Sequence, residues 1–430
     1  VNQTLHAVRG RLLTYPADPR ADPVYIPDGL VSIAGGKIAA MGRAEQILPS
    51  LPAGTKVEDV SGKLITAGFI DPHIHYVQTR VIASYGTQLV EWLNRYTFPA
   101  ELAFADPELA AEEAAFFIDE LLRNGTTTAA VYGSVHAASI DAFFAESARR
   151  NTCMIAGKVM MDRHAPAGLL DTAQRSYDES AALIARWHGQ GRQFYAITPR
   201  FALTSSDAQL HAAGALAREN PDVYVQTHLA ENHAEIAAVR ALFPQDASYT
   251  AVYARHGLLG PRTLLGHCLH LSEAEMNLLD THRAVAVFCP SSNLFLGSGL
   301  FDLARFSARA MRVGLATDIG GGTSFSMLRT AAEAYKVLQL QGQSWPAHAA
   351  FRQITRGNAE ILGLDHRIGA LEPGRDADMV VLDSGATPAM RHRREAIGDD
   401  LQAELFLLMT LGDDRAIAAT YVAGEKAVLF

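Results

Sequence analysis

The chemistry of this sequence sits in histidines and acids at the ends of short apolar runs. His73 and His75 lie two apart in GFIDPHIH. Side chains of a strand alternate faces, so both rings point the same way. His228 falls at the end of DVYVQTHLAE, His267 near the end of RTLLGHCLH, and Asp318 near the end of RVGLATDIG. Four imidazoles and a carboxylate are nitrogen and oxygen donors with no thiolate among them. They suit Zn²⁺, with Fe²⁺ as the alternative. Glu231 follows His228 by three residues, in THLAEN. A carboxylate beside a metal can take a proton from water and hand it to a substrate, and coordination brings that water's pKa toward ~7. Asp318 can hold the metal and orient the nucleophile. A lone His is ordinarily a hydrogen-bonded core or surface residue, and a lone Glu ordinarily favours a helix N-terminus. The combination is what predicts a metal-dependent hydrolase, with Glu231, Asp318 and His267 as its catalytic groups.

Such a site needs elements that bring distant residues together. Eight apolar or β-branched runs alternate with amphipathic helical stretches: GFIDPHIH, TTTAAVYG, CMIAGKVMM, QFYAITPRF, DVYVQTHLAE, RTLLGHCLH, AVAVFCPSS and RVGLATDIG. Eight strand–helix repeats predict an α/β fold, a closed (β/α)8 barrel of the TIM type. Barrel enzymes place their sites at the C-terminal strand ends, where the polar residues gather here. A doubly wound open sheet is the alternative, but no GxGxxG follows the first run. The first ~65 residues read as short strands with hairpin turns, AGGK and SGK, and the last ~60 read the same way. Residues 1–66 and 367–430 are therefore predicted to form one small β-sandwich domain beside a barrel at 67–366. A short turn is expected at Ala44–Leu48 and a helix around Asp400–Leu411. The fourth run closes as TPRF without a lysine, and Lys158 lies inside the third. A bridging carbamylated lysine is the usual route to two metals in such barrels, so one metal per chain is expected.

Composition narrows the partners. The 430 residues are 49% hydrophobic and 19% charged, with a net charge of −9. A mildly acidic chain without basic runs predicts neither nucleic-acid nor anionic-membrane binding. No apolar run approaches the ~20 residues of a spanning helix, and no apolar h-region follows the first residues. Cys153, Cys268 and Cys289 are odd in number and far apart, which fits reduced thiols in a cytoplasmic enzyme.

The HxH, His, His and Asp set and the closing GALEPGRDADMVVLD resemble the amidohydrolase superfamily over nearly the whole chain. A narrower resemblance, from about Phe69 to Leu328, is to the guanine deaminase family. It rests on segments such as DPHIHYVQTRVIASYGTQLVEWLNRYTFPAE, ITPRFALTSS, THLAENHAEI, CPSSNLFLGSG and LATDIGGGTSFSML. VYGSVH, at 131–136, is a small departure at the end of the second run. The resemblance implies deamination of guanine to xanthine and ammonia, in a homodimer. It places the metal on His73, His75, His228, His267 and Asp318, the proton shuttle on Glu231, and guanine contacts on Gln78, Arg200 and Phe201. It leaves open whether His267 ligates or hydrogen-bonds.

Residue chemistry agrees with these roles. Arg200 can donate to the O6 of guanine, and Gln78 offers both a donor and an acceptor to a purine edge. Phe201 or Trp92 can stack on the ring, while His228, Glu231 and Asp318 border the reacting carbon. Each has a plain alternative: Arg200 paired to a core carboxylate, Gln78 as a loop polar group, the aromatics as packing. Ser291, Ser292 and Asn293 either line the pocket or cap a helix. Gly320, Gly321 and Gly322 suggest a loop needing close backbone approach; no Lys-Ser/Thr follows them, which rejects a phosphate loop. The competing functions are a relative acting on another amino- or chloro-heterocycle (a triazine, pterin or cytosine), a binuclear amide-opening enzyme, and a catalytically dead barrel.

Overall fold

The computed structural model describes residues 5–86 and 88–429. The N-terminal end supplies β1 (His6–Thr14), β2 (Val24–Ala34), β3 (Lys37–Arg43) and β4 (Lys56–Ala67). One residue later the chain enters β5 (Phe69–His75), followed by β6 (Thr126–Tyr132), β7 (Cys153–Gly157), β8 (Val159–Met160) and β9 (Gln193–Pro199). Then come β10 (Tyr224–Leu229), β11 (Thr263–His267), β12 (Val285–Phe288) and β13 (Val313–Leu315). The C-terminal end adds β14 (Met379–Leu382), β15 (Ile417–Val422) and β16 (Glu425–Lys426).

β5 to β13 pair in parallel and in chain order, with β7 and β8 sharing the third position against β9. Two backbone bonds join the last strand position to the first: His75 N–H donates to Ile319 O at 2.8 Å, and Asp318 N–H to His73 O at 3.0 Å. The eight expected runs are thus the eight positions of a nearly closed parallel barrel. Every residue of β5 and β6 is buried, because helices cover one face and barrel side chains fill the other. The helix Pro107–Arg123 illustrates the outer layer. Asp106 caps it by accepting from Glu108 N–H at 3.0 Å, and proline takes its first position. Ala110, Ala114, Phe117, Ile118, Leu121 and Leu122 form its buried stripe.

The two chain ends meet in one mixed sheet, in the order β16-β15-β14-β4-β1-β2-β3. β4 pairs with β1 in parallel and with β14 in antiparallel register, so strands ~300 residues apart share hydrogen bonds. Short helical turns occupy Ala44–Ile47, and a helix spans Leu401–Leu411. Lys158 lies between β7 and β8, fully buried, and is paired to Asp171 and to Glu179 at 3.4 Å. After β5 a helical segment, Leu89–Trp92, Leu93–Thr97 and Phe98–Leu102, lies over the strand ends. Among the described residues no helix is long and apolar enough to cross a membrane.

Candidate active site

His73, His75, His228 and Asp318 converge from β5, β10 and the end of β13. One donor atom of each lies within 4.8 Å of every other. Asp318 Oδ1 is 3.3 Å from His73 Nε2 and 3.4 Å from His75 Nε2, and the Nε2 atoms of His75 and His228 face each other at 3.2 Å. His228 Nδ1–H donates to Arg200 O at 2.7 Å, which leaves its Nε2 lone pair turned inward. Both ring nitrogens of His73 are buried without a well-aligned hydrogen bond. Burial pushes His75 down to about 3, and burial together with the neighbouring imidazoles holds His228 well below its ordinary value. Burial would raise the Asp318 carboxyl, but His73, His75 and His267 outweigh it and keep it ionised. Neutral rings with inward lone pairs around a carboxylate are a donor set suited to a divalent cation.

The backbone is bent to reach this arrangement. Ala230, His267 and Asp318 all adopt left-handed φ, at 52°, 72° and 54°. Such geometry is costly away from glycine and clusters at functional sites. Gly266 stands opposite His228 in the β10–β11 register, and a Cβ there would come within 2.5 Å of the His73 ring. Only the missing side chain lets His73 occupy the middle of the barrel.

His267 stands one step from the four. Its Nε2 is 3.3 Å from Glu231 Oε2 and 3.7 Å from Asp318 Oδ2, while Nδ1–H donates to Asn293 Oδ1 at 2.8 Å. Glu231 is buried, and its Oε1 accepts from Ser298 Oγ at 2.8 Å. Burial first, and then the Asp318 charge, raise the Glu231 carboxyl to about 8. A carboxyl poised there can hold or release a proton near neutral pH. Behind it, Glu235 Oε2 accepts the N–H groups of Glu231 and Asn232 at 2.9 and 3.1 Å, and Tyr249 OH donates to Oε1 at 2.7 Å.

These groups border a pocket enclosing about 390 Å³ of space free of atoms, open solvent included. Its wall includes Gln78, Trp92, Arg200, Phe201, His75, His228, Glu231, His267 and Asp318, with His73 behind them. Leu89, Leu93 and Leu296 supply apolar surface, and Ser292 and Gly321 complete the lining. Arg200 does meet a core carboxylate: its Nη1 contacts both oxygens of Glu101 at 2.8 and 2.7 Å. It also borders the cavity. Gln78 Oε1 accepts from Gly320 N–H at 3.2 Å, and its Nε2 donates to Glu101 at 3.1 Å and lies 3.2 Å from His75 Nδ1. Trp92 is buried, and its Nε1–H has no partner among the described residues. Glu91, its neighbour in the chain, is exposed.

The site holds residues that the sequence did not mark as part of it: Glu101, Ser298, Glu235 and Cys289. Cys289 forms a second close group with His267 and Asp318, but burial pushes its thiol well above the ordinary value, so it offers no thiolate. Its position inside the seventh run, directly after β12, was the one available signal. Ser291 bonds Thr323 at 2.8 Å, Ser292 lines the cavity and Asn293 orients His267, while the helix Pro290–Phe295 starts without a side-chain cap. Cys268 is packed in the core, away from the cavity lining.

Comparison with known proteins converges on one family. Residues 64–427 match the Amidohydrolase family. The guanine deaminase of Escherichia coli K12 is 49% identical over 428 residues, covering 98% of this chain and 97% of that protein. The solved structure of the E. coli guanine deaminase superposes with a TM-score of 0.96 at 48% identity, covering 99% of each chain. The guanine deaminase of C. acetobutylicum, solved with guanine bound in its active site, gives a TM-score of 0.88 at 28% identity, covering 99% of this chain and 100% of that one. With near-complete overlap in both sequence and backbone, the chain belongs to the amidohydrolase family, and within it to the guanine deaminases.

Proposed function

We propose that this protein removes the 2-amino group of guanine by hydrolysis, giving xanthine and ammonia. The observation that carries the reading is that Glu231, His267 and Asp318 line one cavity together with Gln78, Arg200 and Phe201. That is a proton-handling group bordering a slot with donors and an aromatic wall. The ligands would be His73, His75, His228 and Asp318, with His267 at the nucleophile side. One Zn²⁺ per chain fits these donors best, with Fe²⁺ as the alternative. When bound, the ion would supply Lewis acidity and a water made nucleophilic near neutral pH.

The chain's own residues would do the rest. Arg200 donates to O6 and Gln78 meets a further polar edge atom, while Phe201 and Trp92 flank the flat ring. Together they hold C2 next to Glu231. Glu231 takes the proton released by the attacking water and passes it to N3, then takes the second proton from the new C2 hydroxyl and gives it to the departing amine. Its raised pKa suits a group that must both accept and donate. Ser298 and the 231–232 backbone bonds keep the carboxyl from turning away. Asp318, held ionised, orients the nucleophile together with His267.

In this reading residues 67–366 form the catalytic unit, and 1–66 with 367–430 form its flanking unit. The assembly is a homodimer in the cytoplasm; Cys153, Cys268 and Cys289 are buried and unpaired. The test is ultraviolet detection of xanthine from guanine with the Zn²⁺-loaded protein. Turnover of another heterocycle with guanine left intact would reject the assignment.

A further inference from the structure

Glu101 belongs to the helical segment Phe98–Leu102, is fully buried, and does not line the cavity. Both of its oxygens meet Arg200 Nη1, at 2.8 and 2.7 Å, and Oε1 also accepts from Gln78 Nε2 at 3.1 Å. It therefore stands behind the two polar residues assigned to the base. The bond to Gln78 fixes that amide. Gly320 N–H holds Oε1 on the other side at 3.2 Å, and a flipped amide would oppose a carboxylate to an oxygen and an N–H to an NH₂. The bond to Arg200 acts on charge. An unpaired guanidinium in a dry pocket attracts any anion strongly. With Glu101 beside it, that corner carries no net charge, yet the remaining N–H groups of Arg200 still donate.

We propose that Glu101 sets the charge preference of the base pocket: by neutralising Arg200 it makes the site hold the neutral aminopurine and release the more acidic oxo product. This rests on the reading that Arg200 faces guanine. Exchanging the 2-amino group for a carbonyl turns N3 into a ring N–H beside that carbonyl, and the oxo product loses a proton more readily than guanine. A bare arginine would retain the resulting anion, whereas a neutral pair gives that anion no advantage. Glu101 touches neither molecule and is a positioning residue.

The experiment compares inhibition by xanthine and by hypoxanthine, which lacks the 2-oxo group and is less acidic, from mildly acidic to mildly alkaline pH. Taking the ratio of the two inhibition constants cancels ionisations of the enzyme. For the wild-type holoenzyme the ratio should stay level or rise as xanthine ionises. For Glu101→Gln, similar in shape but uncharged, it should fall about tenfold in favour of xanthine, the scale of one uncompensated charge. Glu101→Asp keeps the charge and should keep the wild-type ratio even if KM for guanine rises. A wild-type ratio that itself falls with pH, or a Glu101→Gln ratio that tracks the wild type at every pH, overturns the proposal. If Glu101→Gln does not fold, the wild-type profile decides alone. Failure of the loaded wild-type enzyme to deaminate guanine is a separate result, and rejects the functional reading beneath it.

Discussion

The backbone N–H of Asp318 donates to the carbonyl of His73 at 3.0 Å, and the two side chains meet again at 3.3 Å between Oδ1 and Nε2. One pair of residues thus joins the last barrel position to the first and brings two candidate ligands together. Barrel closure and the candidate metal site are the same piece of structure. A cation bound there ties β5 to the end of β13, and its loss leaves buried imidazoles and a carboxylate without a counter-ion.

Removal of the metal should therefore lower stability as well as activity. A ligand at 100 times its dissociation constant stabilises the folded state by about 2.7 kcal/mol. Dialysis against a chelator should abolish xanthine formation and lower Tm by several degrees, and added Zn²⁺ should restore both. A chelated protein with unchanged Tm and full activity would remove the metal from the account.

Glu231→Gln should keep the metal and lose turnover. The amide fills the same space and can still accept from Ser298, but it cannot carry a proton. General acid–base groups typically supply ~10²–10⁴-fold, and one serving several transfers supplies at least that. Metal analysis alongside kcat checks both halves. A variant within a few-fold of wild type would place the proton transfers elsewhere.

These two predictions rest on residues that could be read from the chain. Alternation along a strand puts His73 and His75 on one face, and the strand-end positions of His228, His267 and Asp318 point to one pocket. Gln78, Arg200 and Phe201 came from resemblance, since nothing in their spacing marks them. Glu101 was not legible. It comes from the helical segment after β5, and its partners lie 23 and 99 residues away. Ser298 and Glu235 reach Glu231 through a loop and a helix cap, contacts that exist only once the barrel closes. The helix Pro388–Ile397 escaped notice for another reason: Met390 is its one buried residue, so it carries no apolar stripe.

Glu235 gives stability a pH dependence with a definite sign. Burial, and then the Glu231 charge, raise its carboxyl from 4.5 to about 7. The folded protein then holds a proton that the unfolded chain has released, so this contribution is complete below pH ~4.5 and is lost as pH rises to about 7. Between those values it should weaken stability by about 1.4 kcal/mol per pH unit. Glu235→Gln can still accept from the Glu231 and Asn232 N–H groups, with its amide N–H toward Tyr249. Its Tm should decline less than the wild type's across this window. Parallel Tm profiles for the two proteins would mean that Glu235 does not hold that proton.

Gly266→Ala tests the geometry of the centre without removing any donor. Replacing glycine in a strand normally stabilises by ~0.4–1 kcal/mol, through the unfolded chain. Here the added Cβ would sit 2.5 Å from His73 Cε1. The His73 ring cannot yield freely: it is fully buried, with ring centroids of Tyr132 and His228 each 4.8 Å away and His75 at 5.3 Å. Overpacking of this kind typically costs ~1–3 kcal/mol, which reverses the expected sign. Tm should fall, and the displaced imidazole should weaken metal retention, so that dialysis strips the variant under conditions the wild type survives. A variant as stable as wild type that keeps its metal would show that His73 does not depend on the gap at Gly266.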